Sequence, residues 1–294
     1  MTTLALLTDD VYGILYGVGR AERPAEDTLA AQFLTASTSL TPTTTTMWKR
    51  GDYAEFTDGE LVIFAADSAG ATVVRRGQRG TTAADHASGD VIARNPTFPI
   101  YEIQRLINQV VRNDLWPNVW TWELDSLSYT NADTTYDLGD YIEEVTTVYQ
   151  YNLNSDGRFY PLDQTYWDVE RNIAAAAGAA SGNLLRLRHV IDEDATVYYT
   201  AKRRPDPADL ANMSDEVAEL VPWAVAGKLE GQRSAAVRHR PETGAMERME
   251  GGLFRDYRGF MSEFIRMRKQ LNTKLVREVP SAPKFRARRR RKIY

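Results

Sequence analysis

The pattern of apolar and polar positions predicts a helix near the middle of the chain. Between Pro96 and Trp122, apolar residues recur at spacings of three and four, which is the period of one helical face. Pro99 suits a first helical turn, where its missing N–H would have no partner in any case. Trp116-Pro117 ends the stretch, because a residue before proline disfavours the helical region. We therefore predict a central helix with one apolar stripe.

Helical spacing of apolar residues also marks both ends of the chain. Residues 3–18 carry such a stripe, and the stretch WAVAGKLEGQRSAAV continues one after Pro222. A last helix is predicted over about residues 245–275. Pro280 and Pro283 follow it, and we expect them to end regular structure.

Two regions between these helices predict strands. From Trp48 to Arg94, short apolar runs alternate with turns that contain glycine. Asp58-Gly59 lies between two of these runs, which is a strong hairpin signal. Residues 123–206 contain four further runs of strand length, rich in β-branched and aromatic residues. Their spacing predicts a second, sandwich-like β module.

Together these patterns predict an α+β fold. A helical core, formed by the N-terminal helix, the central helix and the C-terminal helices, would carry two inserted antiparallel β modules and an extended basic C-terminal tail. The predicted segments are an N-terminal helix and linker (1–46), a small β module (47–95), the central helix (96–122), a β-sandwich-like module (123–206), C-terminal helices (207–275) and an extended basic tail (276–294).

Composition excludes several classes of protein. A hydrophobic fraction of 43% over 294 residues is enough for real cores, so the chain is not a disordered protein. No apolar run approaches the ~20 residues that a membrane span needs. The N-terminus has no basic region before its apolar patch, so we expect neither a signal peptide nor a membrane partner. The absence of cysteine excludes disulfides, thiolate metal sites and cysteine nucleophiles.

Charge is distributed unevenly along the chain. Residues 284–294 (KFRARRRRKIY) hold seven of the 36 basic residues and no acid, which leaves 29 basic and 40 acidic side chains, a net charge of −11, on the other 283 residues. A basic tail on an acidic body is typical of a segment that meets an acidic partner. DNA, RNA and the acidic surface of a neighbouring copy all meet this requirement. Dense positive charge binds phosphate by counterion release, and Phe285 and Tyr294 could add stacking.

The sequence holds few candidates for catalysis. His86, His189 and His239 lie in three different segments, and no pair has metal-ligand spacing such as i, i+4 on a helix. There is neither a Gly-x-Ser-x-Gly elbow nor a Walker A sequence. Adjacent acids such as Glu143-Glu144 point to opposite faces of a strand. We therefore predict no enzymatic activity, no catalytic residue and no cofactor.

One stretch has the spacing of a calcium-binding loop. Asn152, Asn154, Asp156 and Gly157 match positions 1, 3, 5 and 6 of such a loop, and Asp163 falls at position 12. The first two ligands would be neutral amides, the last is Asp rather than the longer Glu, and the flanks read as strands. We favour a hairpin turn without a metal, and whether these residues bind a cation stays open.

A run of arginines, glycines and one histidine stands out in the first predicted β module. It consists of Val74-Arg75-Arg76-Gly77, Gly80-Thr81-Thr82-Ala83, His86, Gly89 and Val91. With its surroundings, residues 51–92, it resembles a segment that recurs in several structural proteins of tailed phages. The resemblance covers about a sixth of the chain. It implies a compact β module in a phage particle, with His86 and the glycines shaping a loop rather than performing catalysis.

The helical framework narrows this resemblance. A short N-terminal helix, a central helix ending in DLWPNVW, and a late LVPWAVAGKLEGQR helix followed by a longer one resemble head–tail connector adaptors of tailed phages. Such adaptors form a ring, usually of about twelve copies, with closed symmetry. The resemblance implies a virion protein of the neck, assembled in the host cytoplasm, whose partners are other copies of itself, the portal protein, a downstream neck or tail-terminator protein, and passing double-stranded DNA. The β module at 123–206 departs from the adaptor pattern, since adaptors are often shorter and mostly helical.

An adaptor docks through an extended C-terminal tail, and the resemblance implies the same for the end of this chain. The tail residues that would dock on the portal or lie beside DNA are Lys284, Phe285, Arg286, Arg288, Arg289, Arg290, Arg291, Lys292 and Tyr294.

Two other functions remain open at the level of sequence. In the first, the chain is a tail or baseplate protein whose second β module binds host carbohydrate or another tail protein, since aromatic platforms on a β face suit sugars. The aromatic residues in question are Tyr141, Tyr149, Tyr151, Tyr160, Tyr166 and Trp167. The second is an enzyme, which the thin catalytic inventory disfavours. Aromatic residues also anchor subunit interfaces, so their abundance does not separate these functions.

Overall fold

The computed structural model describes residues 2–18, 23–65, 72–127, 135–139, 141–152, 158–171, 183–188, 196–238 and 246–278. The chain divides into two compact units. The first is Met1–Val110 with Ala218–Arg266, and the second is Val111–Val217 with Met267–Tyr294.

The first unit contains a six-stranded antiparallel sheet. Its strands are β1 (Ala25–Thr28), β2 (Ser39–Leu40), β3 (Tyr53–Phe56), β4 (Leu61–Phe64), β5 (Thr72–Arg75) and β6 (Val91–Arg94). They lie in the order β1-β6-β3-β4-β5-β2. Aromatic side chains form much of its core: Phe33, Trp48, Phe56 and Phe64 are buried. The rings of Trp48 and Phe64 are stacked with their centroids 4.6 Å apart.

The hairpin predicted at Asp58-Gly59 is confirmed. β3 pairs with β4 in antiparallel register, and Gly59 in the turn has a φ of 91°. Glycine adopts this left-handed conformation without the strain that a Cβ would introduce. A Cβ at this position would also lie 3.4 Å from Cγ2 of Ile100. Both the turn and its close approach to the next helix therefore favour glycine.

Helices are present where the apolar periodicity predicted them. They are α1 (Leu4–Gly13), α2 (Ile100–Gln109), the single turn α3 (Asp215–Ala218), α4 (Leu220–Arg238) and α5 (Met246–Arg277). α1 continues as a π-helical turn over Ile14–Val18, and α2 continues as another over Val110–Asp114. In the first unit, α1, α2 and α4 contact one another. Pro222 lies in the first turn of α4, where its missing N–H breaks no helical hydrogen bond.

Two glycines allow α4 and α5 to approach closely within the first unit. A Cβ built at Gly227 would lie 2.6 Å from Sδ of Met261, and one at Gly231 would lie 3.1 Å from the ring of Tyr257. Side chains of α5 thus occupy the space that a larger residue on α4 would need. The buried rings of this contact include Phe260, whose centroid lies 6.1 Å from that of Trp223.

The second unit contains two antiparallel sheets. One has the order β10-β9-β13-β7, and the other has the order β11-β12-β8. The strands are β7 (Thr121–Leu127), β8 (Thr135–Asp137), β9 (Ile142–Asn152), β10 (Arg158–Pro161), β11 (Trp167–Glu170), β12 (Leu184–Leu187) and β13 (Thr196–Arg203). A single hydrophobic cluster draws Val148 and Val197 from the first sheet, and Trp167 and Leu185 from the second. The two sheets thus share one hydrophobic cluster.

The last part of α5 is anchored within the second unit by side chains that bond to backbone carbonyls. Nε1 of Trp122 donates to the carbonyl oxygen of Leu275 at 3.0 Å, and Nδ2 of Asn272 donates to that of Asn118 at 2.7 Å. These bonds fix the end of α5 beside the start of β7, so the chain enters its final segment from a defined position in this unit.

The predicted helical core with two inserted β modules is wrong. Within the described residues, thirteen strands form three sheets and outnumber the helices, so the architecture is mostly β. The six-stranded sheet already begins at Ala25, in a stretch that we predicted as linker, and it includes the two-residue strand β2. The sequence AEDT of β1 lacks the alternation that predicts a strand. These segments become strands only by pairing with β6 and β5, which a local pattern does not reveal.

Candidate functional site

The recognisable run of residues in the first β module surrounds a buried carboxylate, that of Glu60. Arg76 donates from Nε to Oε1 of Glu60 at 2.9 Å and from Nη2 to Oε2 at 2.6 Å. Nε2 of His86 donates to Oε2 at 2.9 Å, and the backbone N–H of Ala84 donates to the same oxygen at 3.0 Å. The side chain of Glu60 is fully buried, and those of Arg76 and His86 are 9% and 5% exposed. We name this arrangement of Glu60, Arg76 and His86 the buried ion cluster.

Aromatic rings enclose the buried ion cluster. The ring of His86 stacks on Phe56 with centroids 3.6 Å apart and an angle of 8° between the planes. The guanidinium of Arg76 lies 4.0 Å from the ring centroid of Phe33. Arg76 also donates to the carbonyl oxygens of Leu34 and Ala84. The hydrogen bonds of Glu60 and Arg76 therefore hold strands and loops of the module together.

The electrostatics of the cluster follow from these contacts. Burial alone would raise the pKa of Glu60, but hydrogen bonds from Arg76, the Ala84 N–H and His86 hold that pKa below its ordinary value. His86 is further held by two backbone hydrogen bonds with Phe33, which form an isolated antiparallel bridge. This geometry agrees with the structural role that the phage resemblance implies for His86.

A cavity of about 390 Å³ opens elsewhere in the first unit, and we take it as the candidate functional site. It lies between α1, the edge of the six-stranded sheet and the start of α2. Its lining includes a buried carboxyl group and two tyrosines, with further charges at the rim. We call it the Glu55 cavity, and the lining residues that matter for its chemistry are Asp9, Tyr12, Tyr16, Arg23, Glu26 and Glu55.

Glu55 lines this cavity and is only 3% exposed. Its Oε1 accepts the backbone N–H of Ile100 at 2.5 Å, so the carboxyl group caps the first turn of α2. Burial raises the pKa of Glu55 to about 8, against the N–H groups of Ile100 and Tyr101, which favour the ionised form. The nearby charge of Glu102 adds to the rise. The carboxyl group is thus poised to ionise when a cation enters the cavity.

The two tyrosines of α1 form an aromatic wall. Their rings stack with centroids 5.4 Å apart and an angle of 16° between the planes. Oη of Tyr12 donates to the carbonyl oxygen of Phe98 at 3.0 Å. Oη of Tyr16 is shielded from solvent and has no hydrogen-bond partner among the described residues. Burial and the charge of Glu55 raise the pKa of Tyr16 to about 12, so its hydroxyl stays protonated near neutral pH.

The rim of the cavity carries more negative than positive charge. Asp9 and Glu26 are exposed there, and Arg23 is the single basic residue among the described residues that line the cavity. Arg233, on α4, lies close enough to lower the pKa of Tyr16, as does Arg23. With three carboxyl groups, one guanidinium and two tyrosine rings, the lining is suited to a cationic group.

The structure brings together few of the site residues predicted from sequence. The basic tail, Lys284 to Tyr294, lies outside the described residues, as do His189 and His239. The central residues of the predicted calcium-type loop, 153–157, also lie outside them. Asp163, the last residue of that pattern, is described, and its Oδ1 accepts the backbone N–H of Thr165 at 2.9 Å. This bond caps a short 3₁₀ turn, which is a structural use of the carboxylate.

The aromatic residues of the second module are divided between core and surface. Tyr149 and Trp167 are buried, whereas Tyr160 and Tyr166 are 46% and 44% exposed. Tyr141 bonds to Asp206, and burial adds to the resulting rise in the pKa of Tyr141. A continuous platform of all these rings is therefore not formed by the described side chains.

Among the described residues, no three His, Cys, Asp or Glu side chains are grouped so that they could hold a metal ion. No helix in the described part of the chain is both long and apolar enough to cross a bilayer. No protein-family model matches this chain, and no curated protein is significantly similar to it.

Sequence reasoning did not single out the Glu55 cavity. One signal was present, because Glu55 is a carboxylate within the otherwise apolar strand sequence YAEF. A second was the four-residue spacing of Tyr12 and Tyr16, which places both rings on one face of a helix. Neither signal predicts that the helix face with the two tyrosines and the strand with Glu55 pack beside each other. The cavity is therefore evident only from the folded structure.

Proposed function

We propose that the chain is a structural virion protein of a tailed phage. In this proposal it is the adaptor of the head–tail connector: several copies form a ring that docks under the portal and extends the DNA channel toward the tail. It performs no reaction of its own. Its partners are other copies of the chain, the portal protein, the next protein of the neck and the DNA that passes through the ring.

The observation that carries this proposal is the contact among helices that are far apart in sequence. The stretches that resemble connector adaptors correspond to α1, α2, α4 and α5. α1, α2 and α4 contact one another, and α5 packs against α4 at Gly227 and Gly231. The elements that resemble adaptors are thus neighbours in the first unit, although the strands between them make the fold mostly β.

The buried ion cluster also supports a structural role. Its residues belong to the segment that resembles phage structural proteins, and their polar groups all bond within the module. Arg76 and His86 are the residue types most often used to contact substrates or phosphates, yet both are bound to Glu60. The polar side chains of this segment therefore stabilise the β module, as expected of a structural component of a phage particle.

Assembly of purified components tests the proposal. The full-length chain would be mixed with the portal protein encoded beside it and examined by native mass spectrometry and negative-stain electron microscopy. We expect a ring of about twelve copies, alone or on the portal, because a closed ring buries two different surfaces of every copy. A chain that stays monomeric and does not bind the portal protein at micromolar concentration would contradict the adaptor assignment.

A second candidate function rests on the exposed rings of the second unit. Tyr160 and Tyr166 lie on the surface of the β module, and exposed aromatic rings can stack on sugars. In this candidate the chain is a tail or baseplate protein that binds carbohydrate or another tail protein. A glycan array separates the two functions: saturable binding that is lost in Tyr160→Ala and Tyr166→Ala favours the second, and an array without hits removes its carbohydrate form.

A further inference from the structure

We propose that the Glu55 cavity binds an arginine side chain from the C-terminal tail of a second copy of this chain. The inference deepens the proposed function and rests on it, because a ring supplies a neighbouring tail for every cavity. It assigns a binding site to the first unit and names the acidic partner of the basic tail.

The first argument is the chemistry of the cavity. A guanidinium is planar, carries five N–H donors and stays charged at every pH of interest. Acceptors of the kind that such a group needs belong to residues that line the cavity: the carboxyl group of Glu55, and the solvent-shielded Oη of Tyr16, which has no hydrogen-bond partner among the described residues. The stacked ring of Tyr12 beside them provides a face for cation–π contact. Together these groups match a guanidinium better than an anion or an apolar ligand.

The second argument is the balance of charge around the opening. Asp9 and Glu26 at the rim attract a cation, and Arg23 at the rim and Arg233 nearby oppose it. An entering guanidinium would draw Glu55 into its ionised form, since a nearby positive charge lowers the pKa of a carboxyl group. The resulting contact is a charge-assisted hydrogen bond to a carboxyl group that is only 3% exposed, and such bonds are stronger than those between neutral groups.

The third argument is that the C-terminal tail of this chain supplies a suitable cation. Residues 284–294 hold seven basic residues within eleven positions and no acid, while the rest of the chain carries a net charge of −11. Arg288 to Arg291 are four consecutive candidates for the inserted side chain. The last described residue is Glu278. The 16 residues that follow it span at most about 50–58 Å when extended.

The experiment uses full-length variants that differ only in charge. The tail variant carries Arg288→Gln, Arg289→Gln, Arg290→Gln and Arg291→Gln and leaves the cavity intact. The cavity variant carries Asp9→Asn and Glu26→Gln, two exposed positions at the rim. A matched control carries Asp10→Asn and Glu219→Gln, which are exposed acids of the first unit that do not line the cavity.

The first measurement is binding of a labelled peptide, KFRARRRRKIY, followed by fluorescence anisotropy at physiological salt. The peptide should bind the tail variant. Adding the cavity substitutions to that variant should weaken binding about tenfold, since two charge-assisted contacts are reduced. Adding the control substitutions should change affinity by no more than about twofold, because remote surface charges are screened. Equal weakening by the two pairs would overturn the inference.

Two further variants protect this test against misfolding and non-specific attraction. Glu55→Gln keeps an oxygen for the N–H of Ile100 but removes the charge that the guanidinium requires, so it should weaken peptide binding while circular dichroism stays unchanged. Tyr16→Phe removes only the unpartnered hydroxyl and should weaken binding less. If neither substitution alters affinity, the peptide binds elsewhere and the inference fails.

The second measurement decides whether the tail enters another copy or its own. The tail variant and the cavity variant are mixed and analysed by native mass spectrometry. A tail that enters a second copy predicts a mixed pair, formed from the intact tail of one variant and the intact cavity of the other. Mixing that yields no mixed species, with the wild-type chain monomeric, would contradict docking between copies. Rings that persist in both single variants would support the ring and overturn the role given to the tail.

A third measurement addresses the competing partners. If duplex DNA or the portal binds the labelled peptide while the full-length tail variant does not, the acidic partner of the tail is not the cavity and the inference fails. If the peptide binds the cavity but the wild-type chain forms no ring with or without portal, the cavity contact is supported and the adaptor proposal is contradicted. The two failures are therefore distinguishable.

Discussion

Replacing Glu60 by glutamine is the sharpest perturbation of the first unit that the structure offers. The substitution keeps the shape of the side chain and one oxygen that accepts the N–H of Ala84. It removes the negative charge that faces Arg76 at 2.6 Å and His86 at 2.9 Å. Because the side chain of Arg76 is only 9% exposed, water does not replace the lost partner.

The magnitude follows from burial. Removing one member of a buried ion pair leaves an uncompensated charge and costs about 3–5 kcal/mol. The retained bond to Ala84 and the two carbonyl contacts of Arg76 place Glu60→Gln at the lower end, about 3 kcal/mol. For a unit of this size, 3 kcal/mol lowers the midpoint of thermal unfolding by roughly 6–12 °C.

Differential scanning calorimetry of the full-length chain at pH 7 measures this change. Arg105→Gln is the matched control within the same unit, because Arg105 is 65% exposed and lies 3.8 Å from Glu102. An exposed pair contributes at most about 1 kcal/mol, so the control should barely move the transition. A midpoint for Glu60→Gln within 1 °C of the control, an interval of about 0.3–0.5 kcal/mol, would refute the stabilising role of the buried ion cluster.

Three further predictions concern other positions of the first unit. The pKa of Glu55 is raised to about 8 by burial, so the folded state holds a proton that the unfolded state releases above its ordinary value of 4.5. Stability should therefore fall as the pH rises from 4.5 to 8. Glu55→Gln should flatten this part of the curve of melting midpoint against pH. An unchanged slope in that variant would contradict the raised pKa of Glu55. The pKa of Asp27 is lowered because hydrogen bonds led by that of Trp48 outweigh burial. Its contribution is present above the ordinary pKa and is lost as the pH falls through the lowered value, so Asp27→Asn should reduce stability at pH 7 and have less effect in acid, as chemical denaturation at both pH values would show. Gly227→Ala would place a Cβ 2.6 Å from Sδ of Met261 and should lower the free energy of unfolding in urea by about 1–3 kcal/mol. Gly259→Ala, whose Cβ would meet open space on α5, should leave this free energy unchanged or raise it by up to about 1 kcal/mol. Equal effects of the two substitutions would contradict the close contact of α4 and α5.

Local signals in the sequence predicted the elements whose structure depends on neighbours along the chain. The apolar stripe after Pro99 gave the central helix, and the glycine at position 59 gave the hairpin between β3 and β4. In both cases the deciding feature lies within a few residues. It is the helical period of apolar residues for the central helix, and the left-handed backbone conformation of one glycine for the hairpin.

Pairing at a distance could not be predicted in the same way. The polar strand β1 pairs with β6, some 65 residues later, and its own four residues show no strand period. The cluster around Glu60 joins residues 16 and 26 positions away. A sequence pattern names these residue types, but only the sheet register brings them to one carboxylate. The predicted helical core failed for this reason, since the sheets are assembled from short and partly polar strands.

The Glu55 cavity shows the same limit for function. Tyr12 and Tyr16 were predictable as neighbours on a helix, and Glu55 as an unusual acid in an apolar strand. Their meeting at one cavity depends on how α1 and α2 pack beside β3. The tail signal, by contrast, was plain in the sequence because its charge is concentrated in consecutive residues.

The central claim is that the chain is a ring-forming part of a phage neck, and its position in the particle tests this most directly. Virions whose genome encodes the chain would be labelled with antibody against the first unit, detected with gold and imaged by electron microscopy. The account predicts gold at the vertex where the capsid joins the tail. Gold at the distal end of the tail, or particles without label although the protein is present in infected cells, would contradict it.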